Sequence, residues 1–340
     1  MTEGTGTGRL LSIHYLRGAA ALMVVAVHCF STGLVAVPDP ARLYWLRHGV
    51  ELFFLISGFV MAASAQGRAQ SPAGFARRRV VRIVPLYWIM TALFAYLAGG
   101  VEARRLAASL AFVALPAADG GVLTPVLQLG WTLNFEMFFY SVFALSLLLP
   151  RGARIPACTG ALLALAIAGA LLPLPQPLAW YASEYLLLFA AGMLAAEFGW
   201  RLPAWTMAAG LAALAAGWTV TDNTVLGVFL PALLILLGAR SLDGRLRAYR
   251  LPVLLGDASY ALYLSHPLAL QIAFVALRPV LPPLLLLPAV LALAVAIAVL
   301  IHRAVELPAG RLADLMLRLP RRARARCPRY PPSRSGTRSA

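Results

Sequence analysis

The stretch "LRGAAALMVVAVHCF", residues 16–30, is a run of small and branched apolar side chains with Arg17 at one end and His28 near the other. A helix turns about 100° and rises about 1.5 Å per residue, so eleven steps make three turns plus about 20°. Arg17 and His28 therefore share one face, about 16 Å apart along the axis. That is roughly half the thickness of a bilayer's hydrocarbon core. The run reads as a membrane helix with a cation near one entrance and an imidazole beyond the midplane.

Composition extends this reading to the whole chain. Of 340 residues 61% are hydrophobic and 12% are charged, and the mean hydropathy is +0.79. Soluble domains carry about twice that charged fraction. Apolar runs fall at roughly 12–35, 46–65, 81–99, 128–149, 156–173, 180–198, 204–220, 224–239, 253–276 and 284–303. A membrane helix needs about 20 apolar residues, and the run at about 106–117 is too short. Residues 16–30 open like a signal peptide, but the run is long, lacks a small-x-small cleavage site and leads into further spans. It reads as an uncleaved first helix.

Arginine orients the spans. Arg68, Arg77, Arg78, Arg79 and Arg82 crowd the loop after the second run, which makes that loop and the N-terminus cytoplasmic. If 100–127 stays outside without crossing, then Arg151, Arg154, Arg201 and the group Arg240, Arg245, Arg247 and Arg250 all fall inside. The tail arginines from Arg311 to Arg326 do the same. The sequence thus predicts an all-α polytopic transmembrane helical bundle of about ten spans, with both termini cytoplasmic. Residues 1–11 form a cytoplasmic N-terminal segment, 12–308 the transmembrane domain, and 309–340 an Arg-rich cytoplasmic tail whose composition reads as disordered. The net charge of +16 sits between the spans and in the tail. It serves topology and contact with anionic membrane lipids, and no nucleic acid is expected. The odd cysteine count, Cys29, Cys158 and Cys327, matches no disulfide framework and no metal site.

Any chemistry must use residues in or beside the spans, where ionisable groups are costly and usually functional. His28 suits general base work near neutral pH; a histidine packed against a neighbouring helix is the other reading. In "GVELFFLISGFVM", residues 49–61, Glu51 opens a span and Ser57-Gly58 lies in its middle. Helix packing is the simpler account of Ser57 and Gly58. In "ARRRVVRIVPLYW", residues 76–88, Arg79 and Arg82 are neighbours on one face at the cytoplasmic border. Guanidinium groups there suit phosphates. In "LGWTLNFEMFFY", residues 129–140, Trp131 suits the membrane interface, and Asn134 and Glu136 enter an otherwise aromatic helix. Glu136 needs a partner, and His28, at similar depth, is the expected one. In "GDASYALYLSHP", residues 256–267, Ser259, Tyr263 and His266 make one polar stripe. His302, Arg303 and Glu306 read as a local ion pair. Walker A, dinucleotide-glycine and HExxH patterns do not occur.

These stretches, with the closing "VELP", stand in the order found in the acyltransferase 3 family, which the chain resembles from about Leu10 to Pro308. The subtype is similar to exopolysaccharide acetyltransferases without an appended periplasmic domain. The family's Arg-ten residues-His signature matches Arg17 and His28, and its Arg-x-x-Arg signature matches Arg79 and Arg82. Its SGF element matches Ser57, Gly58 and Phe59, and its Trp-Glu element matches Trp131 and Glu136. Glu51 stands where the family usually has Asp or a similar polar residue. The resemblance implies a bacterial inner-membrane O-acyltransferase. It would move an acyl group, acetyl first among candidates, from cytoplasmic acyl-CoA to a hydroxyl of a carbohydrate or lipid-linked glycan. No cofactor is held; acetyl-CoA or another acyl-CoA is the donor substrate. His28 and Glu136 are the expected catalytic residues, and Arg17, Arg79 and Arg82 the acyl-CoA-binding ones. Glu51, Ser57, Trp131, Asn134, Tyr263 and His266 are further site candidates. The competing class is a glycolipid or polysaccharide transporter or flippase, which calls for paired interrupted helices in two halves. No such symmetry is visible in the sequence.

Overall fold

The computed structural model describes residues 10–66, 71–117, 121–220 and 224–312. The helices in chain order are α1 (Leu11–Ser31), α2 (Gly49–Gln66), α3 (Pro72–Leu97), α4 (Ala103–Leu110), α5 (Gly130–Ser146), α6 (Arg151–Leu171) and α7 (Leu178–Tyr181). They continue with α8 (Tyr185–Glu197), α9 (Trp205–Val220), α10 (Leu230–Arg240), α11 (Arg250–Asp257), α12 (Ser259–Ile272) and α13 (Pro283–Ile301). A 3₁₀ segment, Pro40–His48, leads into α2. Wider π-type turns precede α10 and follow α12 and α13.

Six helical stretches are long and apolar enough to cross a membrane: Leu11–Ser31, Pro40–Gln66, Pro72–Leu97, Arg151–Leu171, Ser259–Leu277 and Pro283–Leu312. Tyr185–Glu197, Trp205–Gly217 and Val225–Arg240 are shorter apolar helices. Large apolar side chains such as Leu284, Val275, Tyr96 and Leu171 point outward around the bundle. Such a surface suits lipid and not water. The protein is a multi-pass helical membrane protein. The short run at 106–117 does not form a long helix: it holds the end of α4 and one two-residue strand, Leu115–Pro116, which pairs antiparallel with Val122–Leu123 just beyond it. The run at 253–276 is two helices, not one. The chain breaks at Ala258, beside Asp257, which lies 3.3 Å from the His14 ring on α1. Arg68, Cys327 and all but the start of the 309–340 tail lie outside the described residues.

α2 is the central helix. It packs along α8 and against α1, and α1 also meets α10, α11, α12 and α13. Two glycines allow the closest crossing. A Cβ on Gly58 would stand 2.1 Å from the Phe189 carbonyl oxygen, and one on Gly192 would stand 2.0 Å from that of Leu55. Small residues that let backbones touch are a recurrent device of membrane helix pairs, so Gly58 packs as expected. α3 and α5 pair with each other, and side chains of both line a space that α1, α2 and α12 also line.

Candidate active site

Five helices contribute polar side chains to one cavity of about 800 Å³, its open mouth included. Arg17 comes from α1, Ser57 from α2, Arg79 and Arg82 from α3, Thr132, Glu136 and Tyr140 from α5, and Tyr260 and Tyr263 from α12. Local periodicity makes this possible. Arg79 and Arg82 are three apart, and Thr132, Glu136 and Tyr140 are successive steps of four, so each set lies on one helix face. Three guanidinium groups stand against one carboxylate, which makes the cavity a receptor for an anion.

Glu136 sits at the centre of this arrangement. Ser57 Oγ donates to its Oε1 at 3.1 Å, and the Tyr140 hydroxyl makes a short hydrogen bond to the same oxygen. The Ser57 and Tyr140 hydroxyls are themselves 3.3 Å apart. The Arg79 guanidinium lies over the rings of Phe75 and Tyr140, 5.4 and 5.5 Å from their centroids. Its Nε is buried without a partner, a donor available to a bound group. Arg17 interacts electrostatically with Arg82, Glu136 and Glu306. Tyr260 donates to the Ile83 carbonyl at 2.8 Å, which ties α12 to α3. The Tyr263 and Thr132 hydroxyls bond at 2.8 Å and tie α12 to α5.

His28 lies beyond this cavity, and its neighbour is His266. Their ring centroids are 4.9 Å apart. His28 Nδ1–H donates to the Val24 carbonyl at 2.7 Å, and His266 Nδ1–H donates to the Tyr263 carbonyl at 2.7 Å. A carbonyl only accepts, so each neutral ring keeps its lone pair on Nε2, the atom a base or nucleophile needs. His266 is wholly buried and its Nε2 has no partner. Tyr263 joins the two regions: it lines the cavity, and its ring is 6.2 Å from that of His266.

One expected pairing is corrected. Glu136 makes no hydrogen bond to His28, because the hydroxyls of Ser57 and Tyr140 hold its carboxylate on the arginine side of the site. Three further candidates lie outside the cavity. Glu51 is buried and bonded to His48 Nδ1 at 3.1 Å. Trp131 packs among Phe54, Phe135, Trp180 and Tyr185. Asn134 is buried with Oδ1 unpartnered. His302 and Glu306 form the expected ion pair. Sequence reasoning missed Thr132, Tyr140, Tyr260 and His48. The first two stand four residues either side of Glu136 and His48 three before Glu51, spacings that carried the signal. Among the described residues no group of three His, Cys, Asp or Glu side chains is placed to hold a metal ion.

The sequence profile of the acyltransferase domain family matches residues 10–303, which includes every residue of this site. The chain belongs to the acyltransferase 3 family. It is a membrane O-acyltransferase. A curated relative, the exopolysaccharide production protein ExoZ of Rhizobium meliloti (strain 1021), is 39% identical over 249 residues. That alignment covers 66% of this chain and 76% of the relative. No solved structure matches. Within the acyltransferase, an activated acyl donor must meet a nucleophile or base. The basic cavity and the histidine pair are the two parts of the site with those properties.

Proposed function

We propose that this acyltransferase moves an acetyl group from cytoplasmic acetyl-CoA to a sugar hydroxyl of an exopolysaccharide or its lipid-linked precursor. It would do so across about ten spans of the bacterial inner membrane, with both termini cytoplasmic. The convergence of Arg17, Arg79 and Arg82 on one cavity carries the reading. Guanidinium pairs suit phosphate oxygens, and CoA carries a pyrophosphate. The ExoZ relative, an exopolysaccharide production protein, supports the class of acceptor, and the arginine bias of the loops supports the orientation.

In this reading the donor's phosphates rest on the three arginines, and the pantetheine arm runs past Tyr263 towards His28, about 16 Å along α1. Two routes share that geometry. In direct transfer His28 Nε2 takes the hydroxyl proton while the oxygen attacks the thioester carbonyl. The carbon–sulfur bond breaks and the leaving thiolate recovers the proton. In a relay Nε2 itself attacks the thioester carbonyl and expels the CoA thiolate; the hydroxyl oxygen then attacks the acyl-imidazole, the carbon–nitrogen bond breaks, and the hydroxyl proton passes to the thiolate. Glu136, bonded to Ser57 and Tyr140, balances the arginines and holds α2 to α5.

The test uses purified protein in lipid nanodiscs with labelled acetyl-CoA and the glycan acceptor. Wild type consumes acetyl-CoA and acylates the acceptor, and His28→Ala, folded and inserted, does neither. Full activity in His28→Ala sinks the assignment. Mass spectrometry of the surface polysaccharide with and without the protein identifies the acyl group and the acceptor position.

A further inference from the structure

A second cavity, of about 900 Å³ with its mouth, opens between the start of α1, the second half of α2 and the junction of α11 with α12. Ile13, Phe59 and Ala63 give it apolar walls, and Ser64 and Asp257 give it polar ones. Arg17 and Arg82 line it as well as the first cavity. The two arginines therefore form a cationic partition between two spaces. Pockets for small ligands run to about 300–1,000 Å³ and combine apolar walls with a few placed polar groups. This cavity has that make-up, and the catalytic reading leaves it unused.

We propose that the second cavity binds the adenosine 3′-phosphate end of the acyl-CoA donor. This rests on the function proposed above. CoA has three parts in series: a nucleoside phosphate, a pyrophosphate and a pantetheine arm. A pyrophosphate held by Arg17 and Arg82 lies at the partition. The arm enters the first cavity, where Tyr263 leads to the histidines, so the nucleoside end lies on the opposite side. Phe59, whose ring also packs under the Arg240 guanidinium at 4.6 Å, gives the base an apolar wall. The Asp257 carboxylate lies 3.3 Å from His14 Nε2. Asp257 lines the cavity, and a carboxylate accepts from a ribose hydroxyl or an adenine amino group. Arg245 and Arg247 precede α11 and Arg250 opens it, and the last residues of the same helix, Gly256 and Asp257, line the cavity. The Tyr15 hydroxyl fixes this basic loop to α1 by a 2.5 Å bond to the Arg247 carbonyl. It supplies positive charge for a terminal phosphate. Holding a remote, unreacting part of the donor contributes binding energy that a truncated donor lacks.

Two donors separate the parts: acetyl-CoA, and acetyl-pantetheine, which has no nucleotide. In wild type the kcat/KM for acetyl-CoA far exceeds that for acetyl-pantetheine. In Ala63→Phe, which fills the cavity, the ratio of the two falls by about tenfold or more. A ratio within about twofold of wild type overturns the subsite. A second measurement does not depend on that variant folding. Ser64→Cys is labelled with a maleimide, and the labelled peptide is read by mass spectrometry. Adenosine 3′,5′-bisphosphate slows labelling at least about tenfold if the proposal holds; equal rates with and without it overturn the proposal. A wild-type protein that transfers from neither donor overturns the proposed function and this subsite together. Transfer from both donors with an unchanged ratio removes the subsite alone.

Discussion

Gly58→Ala tests whether the α2–α8 crossing holds the site together. On an exposed helix the change stabilises by about 1 kcal/mol, because alanine has the higher helix propensity. Here the new Cβ meets the Phe189 carbonyl oxygen at 2.1 Å and its carbon at 2.8 Å. Both atoms are backbone, so no rotamer change relieves the clash. The helices must separate until that contact reaches at least 3.4 Å, an opening of about 1.3 Å. Overpacking of this kind costs about 1–3 kcal/mol, and rigid backbone neighbours place it at the upper end. A net loss of about 2 kcal/mol follows, or roughly 3 °C in Tm for a chain of 340 residues. Ser57, the neighbouring residue, moves with the backbone and loses its 3.1 Å bond to Glu136, so activity falls with stability. Gly192→Ala clashes with the Leu55 carbonyl across the same crossing at 2.0 Å. Once one substitution has opened the gap, the second costs less. The double variant is therefore less destabilised than the two single changes added together. Thermal denaturation of the detergent-solubilised protein, scored by loss of the monodisperse peak, measures all three variants. Full additivity, or a Gly58→Ala protein as stable as wild type, refutes the close-crossing argument.

Other outcomes follow from the polar contacts. Tyr140→Phe removes one of the two hydroxyls bonded to Glu136 and should cost about 1.5–3 kcal/mol, the range for a hydrogen bond to a charged group, seen as a lower Tm. Arg79→Lys keeps the charge but loses the planar group stacked on Phe75 and Tyr140; KM for acetyl-CoA should rise about tenfold while kcat changes little, measured by initial rates. His48→Ala strips Glu51 of its hydrogen-bonded partner and should destabilise by about 1–3 kcal/mol. Glu51→Gln in the same background should restore part of that loss in the same denaturation assay, because a neutral amide is less costly to bury than a carboxylate.

Features carried along a single helix were legible in the sequence. The Arg79–Arg82 pair, which lines one cavity, and the His302–Glu306 pair need only the helical repeat. Contacts between helices were not legible. Glu136 was matched to His28 on depth alone, yet depth says nothing about which way α5 is rotated. His266 was placed in a local stripe, and its contact with His28 depends on how α12 leans on α1. The break at Ala258 was hidden because the apolar run continues through it.

The sequence by itself determined that this chain lives in a membrane as a helical bundle and which family it resembles. Those properties are local or compositional: apolar length and residue order. The tertiary structure decided which polar groups meet. It brought Arg17, Arg79 and Arg82 to one cavity, gave Glu136 to Ser57 and Tyr140, and set His28 against His266. The reason is physical. A helix's own period fixes the spacing of its side chains, but its rotation and distance from its neighbours are fixed by packing. In this protein the contacts of Gly58 and Gly192 with the opposite backbones set that packing at the centre of the bundle.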